Sequence, residues 1–213
     1  MNIKAASLIV TFLVCSASAV GFSQDFSADV VYGGGSKAGS TSASSGVASQ
    51  KTSRIYVSHD KMRLEAHGPA GVILLVNGTQ QTSYAIRPAT KEYQPLEGGL
   101  PEYFRVTDAE NACPDWQKAA VEKIDCEKAG HEVLGGRQTV KYKNRSASND
   151  SISAVWIDAG LKFVVKWESA NSGVEMRNIQ EAQQPADLFE MPQDYEIAKP
   201  RKGATKGFSN PKR

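Results

Sequence analysis

From Asp25 onward the chain alternates apolar and polar residues in short runs separated by Gly, Pro, Asn and Asp. A strand turns successive side chains to opposite faces, so such alternation predicts strands with one covered face. "DFSADVVY", "TSRIYVSH", "KMRLEAHG", "TSYAIRP" and "KEYQPL" read this way in the first half. "EKAGHEVL", "RQTVKYKN", "SISAVWID", "LKFVVKWES" and "GVEMRNIQEAQ" do so in the second. "GVILLVNG" carries an unbroken apolar run, which predicts a strand covered on both faces. His59-Asp60, Gly135-Gly136 and Ala159-Gly160 fall between runs and read as tight turns.

The middle of the chain has a different period. In "CPDWQKAAVEKIDC", Trp116, Ala120 and Ile124 recur four apart, which puts them on one helical face, and Pro114 suits a first turn. A second helical turn is expected in "PADLFEMPQDY", where Leu188 and Phe189 would plug an end of the sheet. The expected fold class is therefore mainly β with one or two short helices. About ten short strands in up-and-down order would form a strongly curved antiparallel sheet.

The ends change the picture. Lys4, the apolar stretch from Ala5 to Val14 and the small residues Ala17-Ser18-Ala19 have the pattern of an export signal, with Ala19-Val20-Gly21 a rival cleavage site. The expected organisation is a signal peptide over 1–19, one domain over 20–198 and a disordered basic tail over 199–213, in a periplasmic protein that is soluble after cleavage. Leu13 and Val14 do not suit a lipid-modified Cys15, so that cysteine is expected to leave with the signal. Cys113 and Cys126 then remain, and in an oxidising compartment they should be joined, stapling the two ends of the helix to each other.

The formal charge of +2 hides an asymmetry. Lys199, Arg201, Lys202, Lys206, Lys212 and Arg213 all follow the last acid, Glu196, so the tail is basic and the body mildly acidic. Such a tail reads as a solubilising end, or as a contact for an anionic membrane surface or a lipoprotein; nucleic acid is not expected as a partner.

Candidate chemistry is sparse. "VYGGGSKAGSTSASSG" is glycine-rich, but Lys37 is followed by Ala38 rather than by the Ser or Thr of a phosphate loop, so 33–50 reads as a flexible loop. His59, His67 and His131 show no metal-ligand spacing, and no nucleophile motif is present. Neither cofactor nor metal is expected, and the chain reads as a non-enzyme. Asn77-Gly78-Thr79, Asn144-Arg145-Ser146 and Asn149-Asp150-Ser151 match the glycosylation triplet and read as polar loop residues. The most distinctive feature is an apolar wall. Period-two alternation puts Leu161, Phe163, Val165 and Trp167 on one face, with Trp156, Val174 and Met176 offered by neighbouring strands. Such a wall is either plain core or the lining of a cavity.

"RIYVSHDKMRLE", "RPATKEY", "CEKAGHEVLGGRQTVKY", "AVWIDAGLKFVVKWES", "NIQE" and "PADLFEMPQDY" together resemble an uncharacterised family of secreted bacterial domains. That family is similar to the periplasmic lipoprotein carriers and their outer-membrane receptors (LolA/LolB-like). The resemblance covers Phe26 to Ala198 and implies a half-barrel wrapped around the stapled helix, with a hydrophobic cavity for acyl chains. It departs from the carriers at Ser58-His59-Asp60, where they have an Arg-Pro pair that latches a lid helix. The ligand-binding residues expected on this reading are Ile73, Leu75, Trp156, Phe163, Val165 and Trp167. The function implied is a periplasmic binding protein for an acyl chain or other hydrophobic molecule; the alternative is an envelope-sensing or regulatory protein-interaction domain on the same fold.

Overall fold

The structure is a computed structural model that describes residues 25–33, 53–68, 71–96, 104–120, 123–146 and 152–199. The expected signal peptide, nearly all of the Gly/Ser-rich loop and all but Lys199 of the basic tail lie outside the described residues. The strands are β1 (Phe26–Gly33), β2 (Ser53–Ser58), β3 (Lys61–Glu65), β4 (Ile73–Asn77), β5 (Thr82–Arg87) and β6 (Glu92–Pro95) in the first half. In the second half they are β7 (Ile124–Leu134), β8 (Arg137–Ser146), β9 (Ile152–Asp158), β10 (Phe163–Glu168), β11 (Gly173–Glu181) and β12 (Glu196–Ile197). Among the described residues, the α-helix α1 (Cys113–Ala119) lies between the halves.

All twelve strands belong to one open sheet in the order β12-β6-β5-β4-β3-β2-β1-β11-β10-β9-β8-β7. Two meanders, β1–β6 and β7–β11, are joined where β1 pairs with β11, Val30 opposite Met176 and Tyr32 opposite Val174. Pairing is antiparallel except for the short β12, which lies parallel to β6 with Ile197 opposite Tyr93. The hairpin chemistry read from the sequence is explicit at Gly135 and Gly136, whose φ values of 55° and 81° meet the need of a two-residue turn for left-handed backbone.

The helix differs from the sequence expectation. A continuous helix from Cys113 to Cys126 would hold their Cα atoms about 20 Å apart, whereas the disulfide joins them with Cα atoms 5.6 Å apart. The chain resolves this conflict by ending α1 at Ala119. Ala120 turns extended at ψ 136°, and Ile124 opens β7. The disulfide therefore ties the start of the helix to the edge strand, rather than joining two helix ends.

Each face of the sheet buries its own core. On the inner face Phe26, Ala28, Val30, Ile55, Val57, Met62 and Val76 pack with Leu161 and Phe163, and the Phe26 and Phe163 rings meet edge to face at 5.2 Å. Beside them Val106, Ala109, Ala112 and Trp116 cover Val140, Tyr142, Val155, Ile157 and Val164. Tyr142 is fully buried there. Its hydroxyl donates to Ala109 O at 2.8 Å and accepts from Ala112 N at 3.2 Å, so no polar group is left unmet by its burial.

The turn over Ala186–Phe189 does not plug an end of the sheet. Phe189 packs with Leu75 and Ile86 on the opposite face, and Arg63 Nη1 donates to Leu188 O at 3.0 Å. That cover explains the unbroken apolar run of β4: Leu74 and Val76 serve the inner face, Ile73 and Leu75 the outer one.

Candidate ligand-binding groove

The inner face encloses a groove of about 540 Å³. Leu64 and Leu74 line it from β3 and β4, Val174 and Met176 from β11, and Asn144, Ser153 and Val155 from β8 and β9; Trp116 and Phe104 add aromatic rings to the wall. β4 and β8 are seven strand spacings apart in the sheet, about 34 Å if it were flat. Residues of both strands border one small cavity only because the sheet curls strongly about α1. The lining is aliphatic and aromatic, with Asn144, Ser153 and Lys166 its only non-aromatic polar residues. Tyr32 and Trp167 lie opposite Val174 on its two flanking strands, and they remain 57% and 37% exposed.

The six residues expected to line a cavity separate into three groups. Val165 and Trp167 border the groove. Phe163 is core: it is 3% exposed, stacks on Phe104 with ring centres 6.0 Å apart, and borders a second cavity rather than the groove. Ile73, Leu75 and Trp156 face the other side of the sheet. Ile73 and Leu75 lie in the outer cluster with Phe189. Trp156 lies between the ammonium groups of Lys141 and Lys166, 4.6 and 4.5 Å from its ring centre, and its Nε1 donates to Glu132 Oε2 at 2.6 Å.

Two physical causes account for these displacements. In β10 an irregularity between Val164 and Lys166 breaks the alternation, so Val164 faces Ile157 while Lys166 faces Trp156 and Trp167 faces Val155. Trp167 thereby joins Val164 and Val155 on the groove side. In β9 both faces carry large apolar groups, and the lysine stems that cover Trp156 bury it as fully as core does. Parity could have found Asn144 and Ser153. They continue the inward rows Val140-Tyr142 and Ile157-Val155, so each is a polar residue where the pattern calls for an apolar one.

A second cavity, of about 430 Å³, adjoins the first. Along β2 and β3 the inner side chains pass from Ile55 and Leu64 in the groove to Val57 in the second cavity, with Met62 and Phe104 bordering both. Its rim is polar: His59, Asp60, Lys61, Arg105, Asp115 and Lys118. Burial pushes the Arg105 guanidinium below its ordinary value, and the hydrogen bond from the Thr79 hydroxyl holds the Asp60 carboxyl below its own. Asp115 accepts from Thr107 N at 2.6 Å and so fixes the chain leading into α1. No group of three or more His, Cys, Asp or Glu able to hold a metal occurs among the described residues. No helix among them is long and apolar enough to cross a membrane.

No family model matches the chain, and no curated protein matches it. Similar solved structures include an uncharacterized conserved protein from Thermus thermophilus, at 11% identity and a TM-score of 0.49, with 83% of this chain and 90% of that one covered. A LolA superfamily protein from Nitrosomonas europaea is similar at 10% identity and a TM-score of 0.33, covering 78% of this chain and 90% of that one. A chain of the Pseudomonas aeruginosa MucA/MucB complex is similar at 14% identity and a TM-score of 0.40, with 82% of this chain matched to 58% of that one.

Proposed function

We propose that the protein is a non-enzymatic periplasmic binding protein that holds an acyl chain, or a comparable hydrophobic molecule, in the groove between α1 and the curled sheet. The observation that carries this reading is the groove lining. It is aliphatic and aromatic apart from Asn144, Ser153 and Lys166, and it keeps Trp167 and Tyr32 exposed where ordinary core would cover them. A chain entering it leaves water at roughly 0.8 kcal/mol per methylene. The basic residues from Lys199 to Arg213 would add attraction to an anionic lipid surface, which suits a role in lipid or lipoprotein handling at the envelope.

The test has two parts. Mass spectrometry of an organic extract of the purified protein identifies a bound lipid, and tryptophan fluorescence titrated with fatty acids of increasing length reports its binding. Affinity should rise with chain length until the groove is full. Protein that carries no lipid and ignores every chain length refutes the reading, and leaves a protein-interaction domain, working through the sheet edge and rim loops, as the better account.

A further inference from the structure

Among the described residues, Asn144 is the one lining residue with a buried polar side-chain atom that has no partner. Its Oδ1 is buried and has no hydrogen-bond partner. The other two non-aromatic polar side chains of the lining are engaged. Lys166 Nζ is 2.9 Å from Glu168 Oε1 and lies over the Trp156 ring, on the far side of the sheet. Ser153, directly opposite Asn144 in the β8–β9 pair, donates to Asn144 O at 3.5 Å. An apolar residue at 144 would continue the row Val140-Tyr142 with no polar group to satisfy. A buried acceptor without a donor is unfavourable and is uncommon in folded proteins.

We propose that Asn144 is the polar contact of the bound ligand, and that the ligand is an alkyl-chain amphiphile whose head carries a hydrogen-bond donor: a hydroxyl, an amide N–H or a protonated carboxyl. A turn of the amide about its Cβ–Cγ bond brings Oδ1 from its buried position to the groove, where the head donates to it beside Ser153. The chain runs from there across Val155 and Val164 toward Met62 and Leu74 at the opposite wall. This rests on the groove being the binding site, and it adds the direction in which the ligand lies and the class of head it must carry.

The test compares dodecanol with its methyl ether, which keeps the chain and the oxygen but has no donor. The intact protein should bind the alcohol about tenfold more tightly, the size expected of one hydrogen bond to a buried acceptor. Asn144→Leu should bind both equally, with its affinity for the ether unchanged, and its urea midpoint should not fall, since the variant removes an unmet acceptor. Unchanged ether affinity also reports an intact groove. If Asn144→Leu loses both ligands, Asn144→Ala is read by the same ratio. A tenfold preference that survives in the variants, or equal binding of both ligands by the intact protein, overturns the assignment of Asn144 while leaving the groove as the site. Failure of the intact protein to bind either ligand overturns the groove reading itself.

Discussion

Replacing Cys113 and Cys126 together with Ser isolates what holds the groove wall in place. The disulfide spans a sequence separation of 13 and joins the first residue of α1 to β7. For a loop of this size the loop-entropy relation predicts a loss of about 3 kcal/mol on opening. A seven-residue helix is unstable by itself. In the variant α1 would still be held by Trp116, 2% exposed and edge to face with Tyr142 at 5.3 Å, and by the Asp115 bond to Thr107 N. The helix should therefore stay docked, with an unchanged far-UV spectrum, while the urea unfolding free energy falls by about 3 kcal/mol. Dithiothreitol-reduced wild type should match the double variant. A loss below about 1 kcal/mol would refute the reasoning, because the native loop would then be as restrained without the staple as with it.

Other expected outcomes follow from the two faces of the sheet. Leu75→Ala, in the outer cluster under Phe189, should cost roughly 2–5 kcal/mol in chemical denaturation and leave fatty-acid titrations unchanged. Phe163→Ala should cost roughly 3–5 kcal/mol, since the ring is buried against Phe26 and Phe104; a loss under about 1 kcal/mol would contradict its place in the core. Trp156→Phe keeps an aromatic ring between the two lysines but loses the bond to Glu132, and should cost roughly 1.5–3 kcal/mol without altering ligand affinity. The Asp60 carboxyl is held below its ordinary value by the Thr79 hydroxyl. A depressed folded value contributes stability above the ordinary Asp range that is lost as pH falls through that folded value. Thr79→Val should therefore lower the urea midpoint at pH 7, and the difference from wild type should close in acid; a constant difference would point to lost packing instead.

Strand placement was legible in the sequence because its signals are local. The alternation in "SRIYVS" and "KMRLE" and the glycine pair at 135–136 act over a few residues, and the structure forms its strands and turn there. The faces of β4, β9 and β10 were not legible, for non-local reasons. β4 is apolar on both faces because Phe189, far along the chain, covers the outer one. Trp156 counts as apolar in any pattern, yet it lies outside under Lys141 and Lys166. Alternation in β10 breaks between Val164 and Lys166, an irregularity that the residue types do not announce. The extent of α1 was readable in part: helical spacing reaches Ile124, but a disulfide between Cys113 and Cys126 is incompatible with a helix spanning both. The groove is the curl of the sheet closing on α1, so its lining comes from strands far apart in sequence, and only parity at Asn144 and Ser153 marked its polar end.

The central claim is that an alkyl chain lies on the inner face of the sheet. Quenching by a brominated fatty acid in single-tryptophan variants tests it most directly. Trp116 and Trp167 border the groove, whereas Trp156 lies on the far face. A protein retaining only Trp167 should be quenched saturably, at the stoichiometry of one bound chain. A protein retaining only Trp156 should be quenched no more than free tryptophan in the same solution. Saturable quenching of Trp156, or none at Trp167 and Trp116, would place the ligand elsewhere and contradict the account.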